Sequence, residues 1–361
     1  MATQFYPILI KSIEKTTDEC SLISFEVSED LKSTFDFKQG QYLTLKANIN
    51  EEDVRRSYSL CSSPLDQEWQ VAVKKIEGGR FSTFANEQLK AGDTLEVMPP
   101  AGRFFVEAQP NKSKHYLAFA AGSGITPILS IIKTHLQLEP ESTFKLFYIN
   151  QAVSTIILKE ELEGLKNLYL DRFEIFHFLT KEERSAPLFN GRIDEAKMDV
   201  IFKTLVNKEQ VDDVFICGPN AMIFLIQDYL TQLGLDKKQI HFELFNTDGI
   251  AKKQPKKKAK IDTSILSEVA ILEGGKQFKF SIPRGSDNIL DAALKRNADL
   301  PYACKGGVCC TCRAKLVKGE VDVIVNYGLE QEEIDAGYIL TCQAIPTSEK
   351  VVVDFDSSIA N

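Results

Sequence analysis

The chain has 361 residues, 43% of them hydrophobic and 26% charged, with a net charge of −8 and a pI near 5.3. That length suits two or three domains with ordinary cores. The acidity argues against a nucleic-acid or anionic-membrane partner, because both need a basic face. The start of the chain lacks the basic residues and cleavage site of a signal peptide. Its longest uncharged stretch, 116–132, is broken by Gly122, Ser123, Gly124 and Pro127, so no membrane span is expected and the expected location is cytoplasmic.

Residues 1–108 carry short alternating segments at 21–27, 42–47, 58–61, 69–74 and 94–98, punctuated by Gly, Pro, Asn and Asp. Many short strands of this kind predict an antiparallel β-barrel. Over 109–246 the pattern changes. Strands are predicted at 116–120, 144–149, 173–179, 213–217 and 240–245, and helices at 127–136, 158–165 and 220–233. Strand–helix alternation points to a doubly wound parallel α/β sheet. Residues 247–263 crowd Lys252, Lys253, Lys256, Lys257, Lys258 and Lys260 around Pro255 and read as a solvated linker, with a basic docking arm as the alternative. From 264 to 361 the chain is compact again. A hairpin is expected over 268–272 and 277–282, a helix over 288–296 capped by Ser286 or Asp287, and final strands over 312–317 and 350–355.

Four of the eight cysteines fall in Cys304-Lys-Gly-Gly-Val-Cys309-Cys-Thr-Cys312. Their C-x4-C-x2-C spacing, completed by Cys342, is the plant-type [2Fe–2S] ligand pattern. Gly306 and Gly307 let the backbone wrap closely enough for N–H groups to reach the sulfurs. The alternatives are a zinc site, which prefers C-x2–4-C pairs, or plain buried thiols. Spacing selects Cys309 over its neighbour Cys310. Cys20 and Cys61 read as core thiols.

Arg56-Ser57-Tyr58-Ser59 sits on a predicted strand, and alternation puts Arg56 and Tyr58 on one face. Arginine can pair a flavin phosphate, tyrosine can stack on the ring system, and Ser59 can bond its edge. An ordinary strand with an exposed arginine is the alternative. Gly78, Gly79, Arg80, Phe81 and Ser82 precede a helix expected over 83–89, whose N-terminal N–H groups suit a pyrophosphate; Ser82 can equally serve as a plain helix cap. Ala121-Gly122-Ser123-Gly124-Ile125-Thr126-Pro127 is a shortened dinucleotide loop between strand and helix, and Cys217-Gly218-Pro219 ends a later strand where a nicotinamide would lie. A buried strand-end thiol is the alternative for Cys217.

In this order the motifs resemble the ferredoxin–NADP reductase superfamily with a C-terminal plant-type ferredoxin domain. The stretches around Leu300-Pro-Tyr-Ala-Cys304, Asn326-Tyr327-Gly-Leu-Glu and Gly337-Tyr-Ile-Leu-Thr-Cys342-Gln are similar to one branch, the reductase subunits of phenylacetyl-CoA epoxidase (ring 1,2-epoxidase) complexes. The resemblance implies three parts: an antiparallel β-barrel FAD domain, an α/β nucleotide domain and an α+β, β-grasp [2Fe–2S] domain. It implies FAD at Arg56, Tyr58, Ser59 and the run from Gly79 through Arg80 and Phe81 to Ser82. It places the nicotinamide coenzyme at Gly122, Gly124, Thr126, Cys217 and Gly218, and brings Glu243 and Phe245 towards the flavin ring. The expected activity is electron transfer from NAD(P)H through FAD and the cluster to an oxygenase component. Another ring-hydroxylating or Rieske-type oxygenase, or a stand-alone diaphorase, is the alternative. Relatives that use NADPH often carry Asn-Arg and Ser-Arg after the second and third nucleotide strands, where this chain has Asn150-Gln151 and Thr180-Lys181, with Arg184 nearby. Lys181 and Arg184 are therefore the expected readers of the 2′-phosphate of NADPH, with NADH the alternative coenzyme. The oligomeric state is left open.

Overall fold

The computed structural model describes residues 4–245 and 265–357, so the lysine-rich segment 247–263 lies outside the described residues. The chain divides into two compact units, one spanning Phe5–Phe245 and the other following it.

The first unit begins with six strands: β1 (Tyr6–Thr17), β2 (Cys20–Glu26), β3 (Tyr42–Ile49), β4 (Glu52–Ser59), β5 (Trp69–Lys74) and β6 (Thr94–Ala101). They pair antiparallel in the order β4-β3-β6-β1-β2-β5, and the Leu60↔Val71 bridge joins the two ends into a barrel. Closure removes the exposed edges that an open sheet would leave. Ile8, Ile10, Phe35, Leu45, Val71 and Phe81 fill the interior. β1 is not among the expected strands, because beyond Ile10 its residues are charged or half-buried along a mostly wet face.

Helix α1 (Arg80–Glu87) starts three residues before the expected helix. Gly79 is its N-cap with extended backbone, and no side chain caps it. Ser82 thus lies inside the first turn, where its hydroxyl accepts from the Ile76 N–H (3.2 Å) and lies 3.3 Å from the Gly79 carbonyl. The expected Ser82 cap is corrected accordingly.

The parallel sheet follows, with β7 (His115–Ala121), α2 (Ile125–Leu138), β8 (Thr143–Asn150), α3 (Lys159–Leu168), β9 (Phe173–Leu179), α4 (Glu195–Thr204), β10 (Asp213–Gly218), α5 (Asn220–Gln232) and β11 (Ile240–Leu244). Its order is β11-β10-β7-β8-β9. Residues 116–120 are buried without a break, as a central parallel strand requires. Helix α4 is absent from the sequence-based expectation. Only Met198 and Ile201 of that helix are buried, too few to draw a helical stripe, and Asp194 starts it by accepting from the Lys197 N–H (2.9 Å).

The strand order reverses between β7 and β10. That switch point opens a crevice at their carboxyl ends, where such sheets bind ligands. A seam along α2 fixes the barrel against it. Ser130 donates to the Ser62 carbonyl (2.6 Å), Ser63 and Thr134 share a hydroxyl bond (2.8 Å), and a Cβ at Gly40 would fall 3.2 Å from Ile131 Cδ1.

The second unit contains β12 (Leu266–Glu273), β13 (Lys276–Pro283), α6 (Ile289–Leu294), β14 (Arg313–Lys318), β15 (Val321–Val323), α7 (Gln331–Asp335), β16 (Tyr338–Leu340), β17 (Ala344–Pro346) and β18 (Lys350–Asp354). A mixed five-stranded sheet runs β13-β12-β18-β14-β16, with β15-β17 as a separate ribbon, in the expected β-grasp class. The cap of α6 is corrected: Asn288 accepts from the Asp291 N–H (2.8 Å), while Ser286 bonds the Pro283 carbonyl and Asp287 pairs with Lys295. Strands β15, β16 and β17 are too short to announce themselves in the sequence, at three residues each.

Candidate flavin, coenzyme and cluster sites

Ser59 ends β4, buried, and its hydroxyl donates to Glu243 Oε2 on β11 (3.1 Å). Glu243 lies in register with Cys217 on β10, so barrel and sheet bring Ser59, Cys217 and Glu243 together at the switch point. Burial pushes the Glu243 carboxyl up to about 8, against the pull of Ser59, although the residue as a whole keeps an open side. Burial, then the neighbouring Glu243, pushes the Cys217 thiol well up, so it stays protonated. Phe245 is exposed just beyond β11.

Arg56 is exposed and donates to the Arg55 carbonyl (2.7 Å); among the described residues it makes no ion pair. Tyr58 is half-buried, its ring 5.6 Å from that of Phe81. The structure places Phe81 fully in the barrel core, behind Tyr58, so its side chain is not a phosphate contact. The Arg80 side chain is held too, paired with Glu52 and donating to the Ile49 carbonyl (2.9 Å). What faces outward is the uncapped first turn of α1. Beside it is a cleft of about 360 Å³ lined by Asn48, Gly78, Gly79, Arg80, Thr83 and Phe84 among others. A helix N-terminus without a side-chain cap, together with the exposed Arg56 on β4, fits the phosphates of a flavin nucleotide.

On the coenzyme side, a Cβ at Gly124 would lie 2.2 Å from the Cys217 carbonyl oxygen, so only glycine lets α2 approach the end of β10. Gly122 has φ +53, and a Cβ there would meet open space. The Thr126 hydroxyl donates back to the Ser123 carbonyl (3.0 Å) and seals the loop. Gly218 packs against Ala121 and Met222, and Pro219 heads α5, which no side chain caps. Lys181 and Arg184 are both exposed, and the Lys181 N–H bonds the Gln151 carbonyl (2.8 Å), laying the loops after β8 and β9 side by side. Glu182 joins them, accepting from the Val153 N–H (2.8 Å).

The four cysteines form two pairs. The Cys309 N–H and Gly306 N–H both donate to Cys304 Sγ (3.4 and 3.3 Å), and the Cys304 N–H points at Cys309 Sγ (3.5 Å). The Cys312 and Cys342 thiols hydrogen-bond each other. Among the described residues no three Cys, His, Asp or Glu side chains converge as a single ion would require. Two thiol pairs fit two irons and disfavour a tetrahedral zinc. Cys310 is outside both pairs. With φ +55 it turns its thiol to donate to the Gly328 carbonyl (2.8 Å). Sequence reasoning missed Gln343, whose amide bonds the Lys305 carbonyl (2.9 Å) and lies 3.6 Å from Cys342 Sγ. Its position next to a ligand cysteine was the available signal.

Models of three families match this chain: an oxidoreductase FAD-binding domain over 7–106, an oxidoreductase NAD-binding domain over 119–228, and a 2Fe-2S iron-sulfur cluster binding domain over 271–347. The chain is 42% identical to a 1,2-phenylacetyl-CoA epoxidase subunit of Escherichia coli (strain K12), covering 98% of this chain and 99% of that one. It belongs to the flavin- and iron–sulfur-dependent oxygenase reductases. The reductase is also 32% identical to the ferredoxin reductase component of a Rhodococcus rhodochrous 3-ketosteroid-9-alpha-monooxygenase, over 95% of this chain and 94% of that protein. Its fold matches the solved phthalate dioxygenase reductase with a TM-score of 0.59 at 24% identity, covering 97% and 98% of the two chains. It is an NAD(P)H-dependent oxidoreductase with FAD-, NAD- and [2Fe–2S]-binding domains. Among the described residues no helix is long and apolar enough to cross a membrane.

Proposed function

We propose that this reductase takes electrons from NADPH in the cytoplasm and delivers them singly to the oxygenase component of a phenylacetyl-CoA 1,2-epoxidase in phenylacetate degradation. The observation that carries this reading is the 42% identity that runs through nearly the whole of both chains. A bound flavin accepts two electrons at once and releases them one at a time, the step size of a [2Fe–2S] cluster. The residues supply the binding and the proton control. Arg56 neutralises a flavin phosphate, Tyr58 stacks on the ring, and the N–H groups of the first turn of α1, after Gly79, receive the pyrophosphate. Burial holds a proton at the Glu243 carboxyl at neutral pH, against the hydrogen bond from Ser59, while Cys217 keeps a neutral surface for the nicotinamide. Cys304 with Cys309, and Cys312 with Cys342, hold the two irons.

Lys181 and Arg184 supply charge for the 2′-phosphate. NADPH should therefore be preferred by about ten- to a hundredfold in kcat/KM, the worth of one or two charge-assisted hydrogen bonds. Equal kcat/KM for NADH and NADPH would remove that role. The main test reconstitutes the holoenzyme with purified phenylacetyl-CoA epoxidase oxygenase and follows substrate-dependent NADPH oxidation and epoxide formation. The 32% identity to a steroid monooxygenase reductase favours a second reading, a reductase of another oxygenase. Rapid reduction of cytochrome c without turnover of the epoxidase would support that reading instead.

A further inference from the structure

We infer that Tyr148 is a positioning residue for the coenzyme, aiming one backbone N–H of the glycine loop at its pyrophosphate. The inference rests on the NAD-binding reading of the loop at Gly122, Ser123 and Gly124. Tyr148 lies in β8, fully buried, and its hydroxyl lies 3.0 Å from the Gly122 carbonyl oxygen and 3.3 Å from that of Ile157. Burial pushes its phenol well above its ordinary value, so it remains a donor at any working pH.

A trans peptide is planar, and its C=O and N–H point in opposite directions. Holding the Gly122 carbonyl on Tyr148 therefore turns the Ser123 N–H away from Tyr148, in a loop where a Cβ at Gly122 would meet open space. Gly122 has φ +53, a conformation in which the peptide can flip at little cost unless something holds it. The Ile125 N–H also bonds this carbonyl from within the loop, and the hydroxyl adds a second restraint from the sheet. It acts from beneath the sheet surface, through the loop, and has no need to touch the coenzyme. Sequence reading could not find it, because within the strand Thr143–Asn150 a buried tyrosine looks like one more core aromatic.

Tyr148→Phe tests this, since it keeps the ring and removes only the hydroxyl. The variant is purified as holoenzyme and its flavin and cluster absorbance checked against wild type. KM for the reduced coenzyme and Kd for the oxidised coenzyme should both rise about tenfold, with kcat changed less than twofold. A tyrosine that only fills the core would lower thermal stability and cofactor content while leaving KM and Kd of the intact holoenzyme at wild-type values, and that result overturns the inference. Gly122→Ala is the second probe. It strains the same peptide from the open side without touching the core, and should raise KM and Kd in the same direction. Unchanged KM in Gly122→Ala would also overturn it, because the orientation of this peptide would then not matter to binding. Loss of coenzyme turnover in wild type itself would instead strike at the NAD-binding reading.

Discussion

Two glutamates in the first unit are shielded by the fold, and they end in opposite protonation states. Glu139, just past α2, is fully buried, yet its carboxyl is held down to about 2. Burial pushes it up, but four donors outweigh that push: His135 Nδ1 (3.1 Å), the Gln109 N–H (2.7 Å), the Ser142 hydroxyl (2.7 Å) and the Tyr116 hydroxyl (2.9 Å). Among the described residues Glu243 has one donor, Ser59, and burial carries it up to about 8. Burial sets the cost of a charge in both places; the number of hydrogen bonds decides whether the charge survives. The first site is therefore a fastener between the inter-strand segment at Gln109 and the nucleotide sheet. The second is a proton holder at the mouth of the crevice.

The largest effect should come from breaking the fastener. Glu139→Ala strands the Tyr116 and Ser142 hydroxyls, the Gln109 N–H and His135 in a closed interior. Removing one partner of a buried charged network costs about 3–5 kcal/mol. At a few degrees per kcal/mol for a unit of this size, the thermal transition should fall by on the order of 10 °C. Calorimetry on the holoenzyme reads this directly, and a fall of under two degrees would show that the four bonds add little net stability.

The two glutamates also mark where sequence reading stops. The glycine loop, the cysteine spacing and the barrel-then-sheet order were legible because each is a local pattern with a local cause. Gly124 must be glycine where α2 meets Cys217, and three of the cluster cysteines lie on one nine-residue loop. Glu139 sits in Glu139-Pro140-Glu141-Ser142, which reads as a wet turn; it is buried only because Gln109 and Tyr116, from elsewhere in the chain, close over it. Glu243 is a candidate through resemblance alone, and its raised carboxyl follows from a burial that a strand end in the sequence does not announce. Phe81, read as a phosphate contact from its place in the glycine turn, went to the core because α1 begins earlier and turns that side inward.

A middle-sized effect should sharpen the contrast through pH. Glu139 has a lowered folded pKa, so its contribution is present above the ordinary carboxylate value near 4.5 and is lost as pH falls from there towards 2. Glu243 has a raised one, so its contribution is fully present below 4.5 and is lost as pH rises through about 8. Glu243→Gln keeps the shape and cannot ionise. Its melting temperature relative to wild type should be lowest near pH 5 and should rise steadily to pH 9. A difference that stays flat over that range would mean that Glu243 does not change its charge there.

The smallest effect isolates the single bond that separates the two cases. Ser59→Ala removes the only donor that Glu243 has among the described residues, leaving the burial that raises it. A neutral-to-charged hydrogen bond is worth about 1.5–3 kcal/mol in favourable settings, and about 0.5–1.5 kcal/mol for an ordinary one. One pH unit corresponds to about 1.4 kcal/mol. Since the Glu243 side chain keeps an open side where water can replace the serine, the lower range applies, and the titration should move upward by roughly half a unit to one unit. The same change at Glu139, Tyr116→Phe, leaves three donors in place and should leave its carboxyl ionised throughout the neutral range. Carboxyl-selective infrared or carbon NMR titration of the two variants gives both answers in one experiment. A downward shift in Ser59→Ala would mean that the hydroxyl stabilises the protonated acid, and the donor count would then no longer explain why the two glutamates differ.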